Sequence, residues 1–223
     1  MKDLKKVKYL ILDMDGCVDH PKYLKTLFAQ VSARMTEFIA LKLGIDKIKA
    51  KEIQSNYFYT HNTSLNGLLI NHPDKIDAHE FLKFVHTINY DCLEKDVELR
   101  EELLKLDVKA YCATNGSREH AMNCMKKIGI DDLFEGKVMD IVDFNFKPKP
   151  NPESLKLLCN NFQIPTNEET VYVEDICKNL TSETAKNMIK VWFNNDEPIN
   201  NIDKYKDVVD YRIDNLALFL KKI

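Results

Sequence analysis

The chain has 223 residues, 35 acidic and 32 basic, for a formal net charge of −3. Hydrophobic residues make up 44% and charged residues 30%, a composition that excludes collagenous, disordered and low-complexity chains. The near balance of charge gives no broad basic face, so no nucleic-acid partner is expected.

The N-terminus is basic (Lys2, Lys5, Lys6, Lys8), but the apolar run that follows is too short for a signal peptide. No run approaches the roughly 18 apolar residues of a membrane span, so no membrane partner and a cytoplasmic setting are expected. The six cysteines form no Cys-x-x-Cys pair and are expected to be reduced. Nothing in the sequence fixes an oligomeric state.

Val7 and the run Tyr9-Leu10-Ile11-Leu12, bounded by Asp13 and Gly16, predict a short strand buried on both faces. The period then changes. Leu24, Phe28, Val31, Met35 and Phe38 form the stripe of a helix ending near Gly44. Helical spacing continues over 47–59 and 78–88, and no strand is expected between about residues 20 and 97. Beyond that the elements alternate. Helices are predicted at 98–106 and 119–127, and strands at 108–113 and 138–142. Asn151 predicts an N-cap with Pro152 at the first helical position, and Leu155, Leu158 and Phe162 share the buried face. A strand at 171–173, a helix at 179–188, a strand at 191–193 and a helix at 215–221 complete the chain.

Such alternation predicts an α/β fold, a Rossmann-like parallel sheet with helices on both faces, and the first strand must join that sheet. The expected organisation is a core of residues 1–19 and 97–223, with an all-helical cap, 20–96, inserted after the first strand.

In an open parallel sheet ligands bind at the carboxyl ends of the strands. There the sequence places Asp13-Met14-Asp15-Gly16, then Thr114-Asn115-Gly116-Ser117, then Lys147 and Lys149, and finally Glu174-Asp175. A strand period of two would project Asp13 and Asp15 from the same side. Paired acids, a hydroxyl with amides, a cation and paired acids suit a metal-neutralised phosphate. A phosphoryl dianion repels an anionic nucleophile, so a divalent cation and a lysine must offset its charge before a carboxylate attacks. Oxygen ligands from Asp13, the Asp15 carbonyl and Asp175 match Mg²⁺. One carboxylate can accept the phosphoryl group while a second protonates the leaving oxygen and then activates water.

In this order the four motifs resemble those of the haloacid dehalogenase superfamily, over essentially the whole chain. The resemblance implies Asp13 as nucleophile and Asp15 as general acid/base. It implies Thr114, Asn115 and Lys149 around the phosphoryl group, and Asp13, Asp15 and Asp175, with Glu174 beside it, around Mg²⁺. Both Lys147 and Lys149 open a Lys-Pro-x-Pro pattern. The family's lysine stands immediately before the N-cap with a large apolar residue six positions on, which Lys149 meets with Asn151 and Leu155. An acid at position 15 is similar to the phosphatases rather than the carbon–halogen branch.

The segment Tyr57-Phe58-Tyr59-Thr60-His61-Asn62-Thr63-Ser64-Leu65-Asn66-Gly67-Leu68 resembles the cap of pyrimidine 5′-nucleotidases, as does Phe84-Val85-His86. Asn62 stands where that group has glycine and Asn66 where it has arginine, which removes a bidentate contact. Tyr57, His61 and Asn66 are the candidate substrate contacts, although aromatic residues at helical spacing equally serve as cap core. Cys17, with no basic partner, is expected to be a buried filler.

The expected activity is Mg²⁺-dependent hydrolysis of a small-molecule phosphomonoester, such as a pyrimidine nucleoside 5′-monophosphate, through an aspartyl-phosphate. The alternatives are a sugar-phosphate phosphatase or a phosphomutase. A phospho-accepting receiver domain is disfavoured, because its acceptor lies on a later strand and it carries no such cap. The six glycines cannot form G-x-G-x-x-G or G-x-x-x-x-G-K.

Overall fold

The computed structural model describes residues 2–195 and 202–223. β1 (Tyr9–Leu12) occupies the middle of the sheet because Leu10, Ile11 and Leu12 are fully buried and need apolar cover on both faces. It pairs in parallel with β2 (Lys109–Ala113) on one side and β4 (Thr170–Glu174) on the other. The full order is β3-β2-β1-β4-β5-β6, with β3 (Val138–Met139), β5 (Ile189–Phe193) and β6 (Tyr211–Ile213), all parallel.

Side chains alternate across this sheet, so its two faces carry separate cores. Leu10, Leu12 and Val173 pack with Ala121, Cys124 and Met125 of α6 (Arg118–Ile128), and with α5 (Val97–Lys105) and α10 (Leu216–Leu220). Ile11, Tyr172 and Trp192 pack on the opposite face with Leu155 and Leu158 of α8 (Pro152–Phe162). The short helices α7 (Asp131–Phe134) and α9 (Ile202–Tyr205) complete this part of the chain.

Between β1 and α5 the described elements are all helical: α1 (Pro21–Leu43), α2 (Lys47–His61), α3 (Ser64–Asn71) and α4 (Ala78–Val85). Asp46, Thr63 and Asp77 cap the last three through their side chains. These helices bury a third core around Phe38, Leu68 and Phe81. On α1 the stripe departs from expectation at Phe28, which is 44% exposed. No helix among the described residues is long and apolar enough to cross a membrane, and no disulfide forms among them.

Two predicted elements change and one strand is new. The helix expected at 179–188 is two tight turns, Cys177–Thr181 and Glu183–Ala185. The Asn179 side chain and the Ile176 N–H donate to Glu174, and that local bonding outcompetes a regular helix. The strand expected over 138–142 stops at Met139, because the Asp140 carboxylate accepts the N–H groups of Arg118, Val142 and Asp143. β6 was not anticipated; three residues on a sheet edge give almost no periodic signal.

At Gly67 α3 lies close against α2, since a methyl there would collide with the Tyr57 side chain. Gly67→Ala should therefore force α2 and α3 apart and cost about 3 kcal/mol, read as a lower urea midpoint. An unchanged midpoint would refute this packing.

Candidate active site

The three central strands end level with one another, with Leu12 opposite both Cys112 and Val173. The residues that follow therefore converge. Asp13 extends the ladder by donating its N–H to the Val173 carbonyl (3.0 Å). Its carboxylate Oδ1 accepts from Lys149 Nζ at 2.6 Å. The same ammonium donates to the Ala113 carbonyl (2.6 Å) and to Glu174 Oε1 (2.8 Å). Its three N–H groups thus each have an acceptor. Lys149 is buried, which acts to lower its pKa, but Asp13 and Glu174 overcome this and hold it above the ordinary lysine value.

Asn115 fixes the lysine from behind. Its Oδ1 accepts the Lys149 N–H (2.8 Å) and its Nδ2 donates to the Lys149 carbonyl (3.3 Å). Lys147 instead pairs with Glu153 at the surface. Thr114 is fully buried, and its Oγ1 accepts the Gly116 N–H (2.9 Å) in a local turn. The cleft wall at this point is Asn115 and Gly116 rather than Thr114.

Glu174 departs from the expected metal set, and the Asp15 carboxylate, as distinct from its carbonyl, points to other partners. Glu174 accepts from Tyr172 Oη (3.2 Å), Asn179 Nδ2 (2.7 Å) and the Ile176 N–H (3.2 Å) as well as Lys149. Three of these donors meet Oε1 and one meets Oε2, so the carboxylate is engaged chiefly by Lys149 and its own neighbourhood. The acid that joins Asp13 is Asp175: ligand atoms of Asp13, Asp175 and Cys17 lie within 4.8 Å of one another. Gly16, at φ 77°, makes room, since a Cβ there would stand 2.5 Å from Asp175 Oδ2. Asn195 Nδ2 donates to that oxygen (2.8 Å).

Asp13, Glu174 and Asp175 face one buried ammonium, an excess of negative charge that a divalent cation would neutralise. Burial first, and then Glu174, push the Asp13 and Asp175 carboxyls well above the usual range. Burial and the same acids push the Cys17 thiol far up, so it stays protonated and the site offers hard oxygen donors. These donors can hold a metal ion.

The Asp15 side chain is turned elsewhere. The strand ends at Leu12, and the chain winds through Met14–Val18, which separates the two carboxylates that strict alternation would align. Asp15 Oδ1 meets His120 Nε2 at 2.8 Å. His120 stacks on His86 at 4.4 Å, and its Nδ1 lies 3.0 Å from Tyr90 Oη; His86 Nδ1 lies 2.8 Å from Ser117 Oγ. Burial acts to raise the Asp15 carboxyl, yet charge and hydrogen bonding from His120 hold it below its ordinary value. Burial, then His120, push His86 down to about 3, so it is neutral at physiological pH. His86 stands in the Phe84-Val85-His86 segment singled out above, but its pairing with His120 was missed from sequence. The signal for His120 was a histidine among apolar positions, one turn into the helix that follows Thr114-Asn115-Gly116-Ser117.

A cleft of about 540 Å³ runs from Asp13, Asp15 and Asp175 to α1 and α2. Tyr57, His61 and Asn66 do not line it. Tyr57 packs on Gly67 and bonds His72 Nε2 (3.0 Å), His61 Nδ1 bonds Thr60 Oγ1 (2.7 Å), and Asn66 Nδ2 donates to the His61 carbonyl (2.9 Å). They build the α2–α3 corner, where Asn62 takes φ 69° and ends α2. Phe58, Tyr59 and Asn62 line the cleft instead.

Buried acids gathered around a lysine at the central strand ends of a Rossmann-like sheet define a hydrolytic enzyme. The chain belongs to the haloacid dehalogenase-like hydrolase family, whose model matches residues 7–181. It is 28% identical over 130 residues to Phosphate metabolism protein 8 of Saccharomyces cerevisiae, an alignment covering 53% of this chain and 40% of that protein. The chain thus spans less than half the length of that curated relative.

Among solved structures, a HAD phosphatase from Thermococcus onnurineus matches with a TM-score of 0.60 at 22% identity, over 96% of this chain and 97% of that one. The HAD hydrolase YfnB from Bacillus subtilis, solved bound to magnesium, matches with a TM-score of 0.60 at 16% identity, over 96% and 97%. A β-phosphoglucomutase from Clostridium difficile gives 0.56 at 15%, over 97% and 96%. At these identities the likeness is one of fold.

Carboxyls whose pKa is raised by folding stabilise the protein at low pH, and that contribution is lost as pH rises through the raised values. Cation-free protein should lose stability from about pH 4 upward, where free aspartates ionise. Added Mg²⁺ should accordingly raise Tm more at pH 7 than at pH 5 in thermal melts. An equal shift at both values would place the cation elsewhere.

Proposed function

We propose that the protein is a Mg²⁺-dependent phosphatase that hydrolyses a small phosphomonoester, with nucleoside 5′-monophosphates as the leading substrate class. The observation that carries this reading is the Asp13 carboxylate, held 2.6 Å from a buried lysine at the floor of the cleft, with Asp175 beside it and Asp15 two residues on.

When bound, Mg²⁺ supplies neutralising charge to the phosphoryl oxygens; Asp13 and Asp175 would hold it. Lys149 adds a fixed positive charge and orients Asp13. An Asp13 oxygen attacks phosphorus, the bond from phosphorus to the leaving oxygen breaks, and Asp15 gives that oxygen a proton. Asp15 then takes a proton from water as it attacks the aspartyl-phosphate, releasing phosphate and restoring Asp13. The hydrogen bond from His120 aims Asp15 for both transfers. Asn115, Gly116 and the Thr114 hydroxyl form the turn against which the phosphoryl group rests. Residues 20–96 act as a cap that covers the substrate, and 1–19 with 97–223 form the core. The nucleoside reading is supported by the likeness of the 57–68 segment, although Tyr57, His61 and Asn66 lie off the cleft.

Asp13→Asn should abolish phosphate release from a panel of nucleotides and sugar phosphates, and so should chelation of the wild type. Persistent turnover by the variant would refute the nucleophile. CMP and UMP should lead the panel; a preference for sugar phosphates would redirect the substrate class, and phosphate moved to a second hydroxyl without release would mark a mutase.

Lys149→Ala should lower kcat at least roughly a hundredfold, whereas Lys147→Ala should change it less than about twofold. Thermal melts distinguish this from unfolding of the Lys149 variant. Equal effects would break the assignment of the lysine.

A further inference from the structure

The far wall of the cleft, on α1 and α2, carries a polar cluster that the chemistry at Asp13 does not use. Gln54, only 4% exposed, lies at its centre. Its Oε1 accepts from Thr36 Oγ1 (2.7 Å) and faces Lys51 Nζ (3.5 Å), an arrangement that turns the amide nitrogen toward Ser32. Ser32 Oγ accepts from Gln54 Nε2 at 3.0 Å and from Lys51 Nζ at 2.5 Å. Both acceptor positions of that hydroxyl are therefore engaged, and its proton has no acceptor among the described residues. Ser32, Lys51 and Gln54 all line the cleft.

The charge on this wall is uncompensated. On the same helices Lys42 pairs with Glu80 and Lys49 with Glu52. Lys25 and Lys51, which line the cleft, meet no carboxylate among the described residues. Beside them stand Phe28, 44% exposed, and Tyr59, 64% exposed, both on the cleft. An anchored ammonium and a hydroxyl proton, set among apolar faces, complement an oxygen acceptor carried on an apolar or planar body.

We infer that Lys51 and Ser32 form a leaving-group subsite that takes a carbonyl or carboxylate oxygen at the end of the substrate remote from phosphate. This rests on the reading of Asp13 as the phosphoryl acceptor, which puts the phosphate on the core and leaves the rest of the molecule to the helical wall. Gln54 is a positioning residue: it engages the Ser32 oxygen and so directs the hydroxyl proton away from the protein. A hydroxyl-rich sugar phosphate, with no apolar face, fits this wall poorly.

The test compares phenyl phosphate, 4-carboxyphenyl phosphate and UMP on the wild type, Lys51→Met, Ser32→Ala and the outward-facing control Lys49→Met. Lys51→Met and Ser32→Ala should raise KM for the two acceptor-bearing substrates roughly tenfold more than for phenyl phosphate, with little change in kcat, while Lys49→Met matches the wild type. A larger loss with UMP assigns a carbonyl-bearing ring, and a larger loss with 4-carboxyphenyl phosphate assigns a carboxylate. Calorimetric binding of uridine and 4-hydroxybenzoate reads the subsite without chemistry and should weaken in the same two variants. Equal effects on all three esters, or unchanged KM and binding, would overturn the subsite. If the wild type released phosphate from none of the esters while Lys51→Met still weakened binding, the phosphatase reading would fall and the subsite would stand. With neither release nor binding by the wild type, both would fall.

Discussion

One buried ammonium organises the carboxyl end of this sheet. Lys149 Nζ touches Asp13 after β1, the Ala113 carbonyl of β2 and Glu174 of β4, so a single charge ties the ends of the three central strands. Removing that charge from water is costly, and only an acceptor for every proton makes its position tenable. The neighbourhood is arranged accordingly. Asn115 clamps the lysine backbone, Asn151 and Pro152 start α8 just beyond it, and the turns after β4 supply further donors to Glu174.

The same constraint separates two acids that are neighbours in sequence. Asp13 is buried beside Glu174 and Asp175, and its proton affinity rises. Asp15, one turn on, meets a histidine, and its affinity falls. Carboxyls driven apart in this way can take different parts in one reaction. The histidine belongs to α6, but the groups stacked and bonded against it, His86 and Tyr90, come from the helical insertion side. Asp15 is thus tied, through His120, to residues that follow α4 as well as to α6.

Much of this was legible in the sequence because it rests on local rules. A four-residue apolar run that stops at an acid has the form of a strand buried on both faces, and Asn151-Pro152 is a favoured helix start. Lys149 could be chosen over Lys147 because the family that the motifs resemble places its lysine just before such a cap. The failures share another cause. Residues 179–188 carry helical spacing, but Glu174 needs donors, and the need is visible only once Lys149 is in place. Asp140 reads as part of a strand until α6 arrives to be capped by it. Tyr57, His61 and Asn66 lie in a segment with a strong resemblance, yet the break at Asn62 decides which face meets the cleft, and sequence does not show how a chain leaves such a break. His120 was hidden because a histidine on an apolar helix face usually signals only a satisfied core residue.

The pairing register also bears on how the molecule comes together. β1, the most buried strand of the sheet, begins at residue 9, yet its partners begin at residues 109 and 170. This apolar segment is synthesised before either partner strand, and the helices that separate it from β2 bury a core of their own. Compact local helices shorten the effective loop that the strand must close, whose entropic cost in any case grows only slowly with length. A strand that pairs so far along the chain must close long loops, and compact helices within the first of them bring β1 within reach of β2.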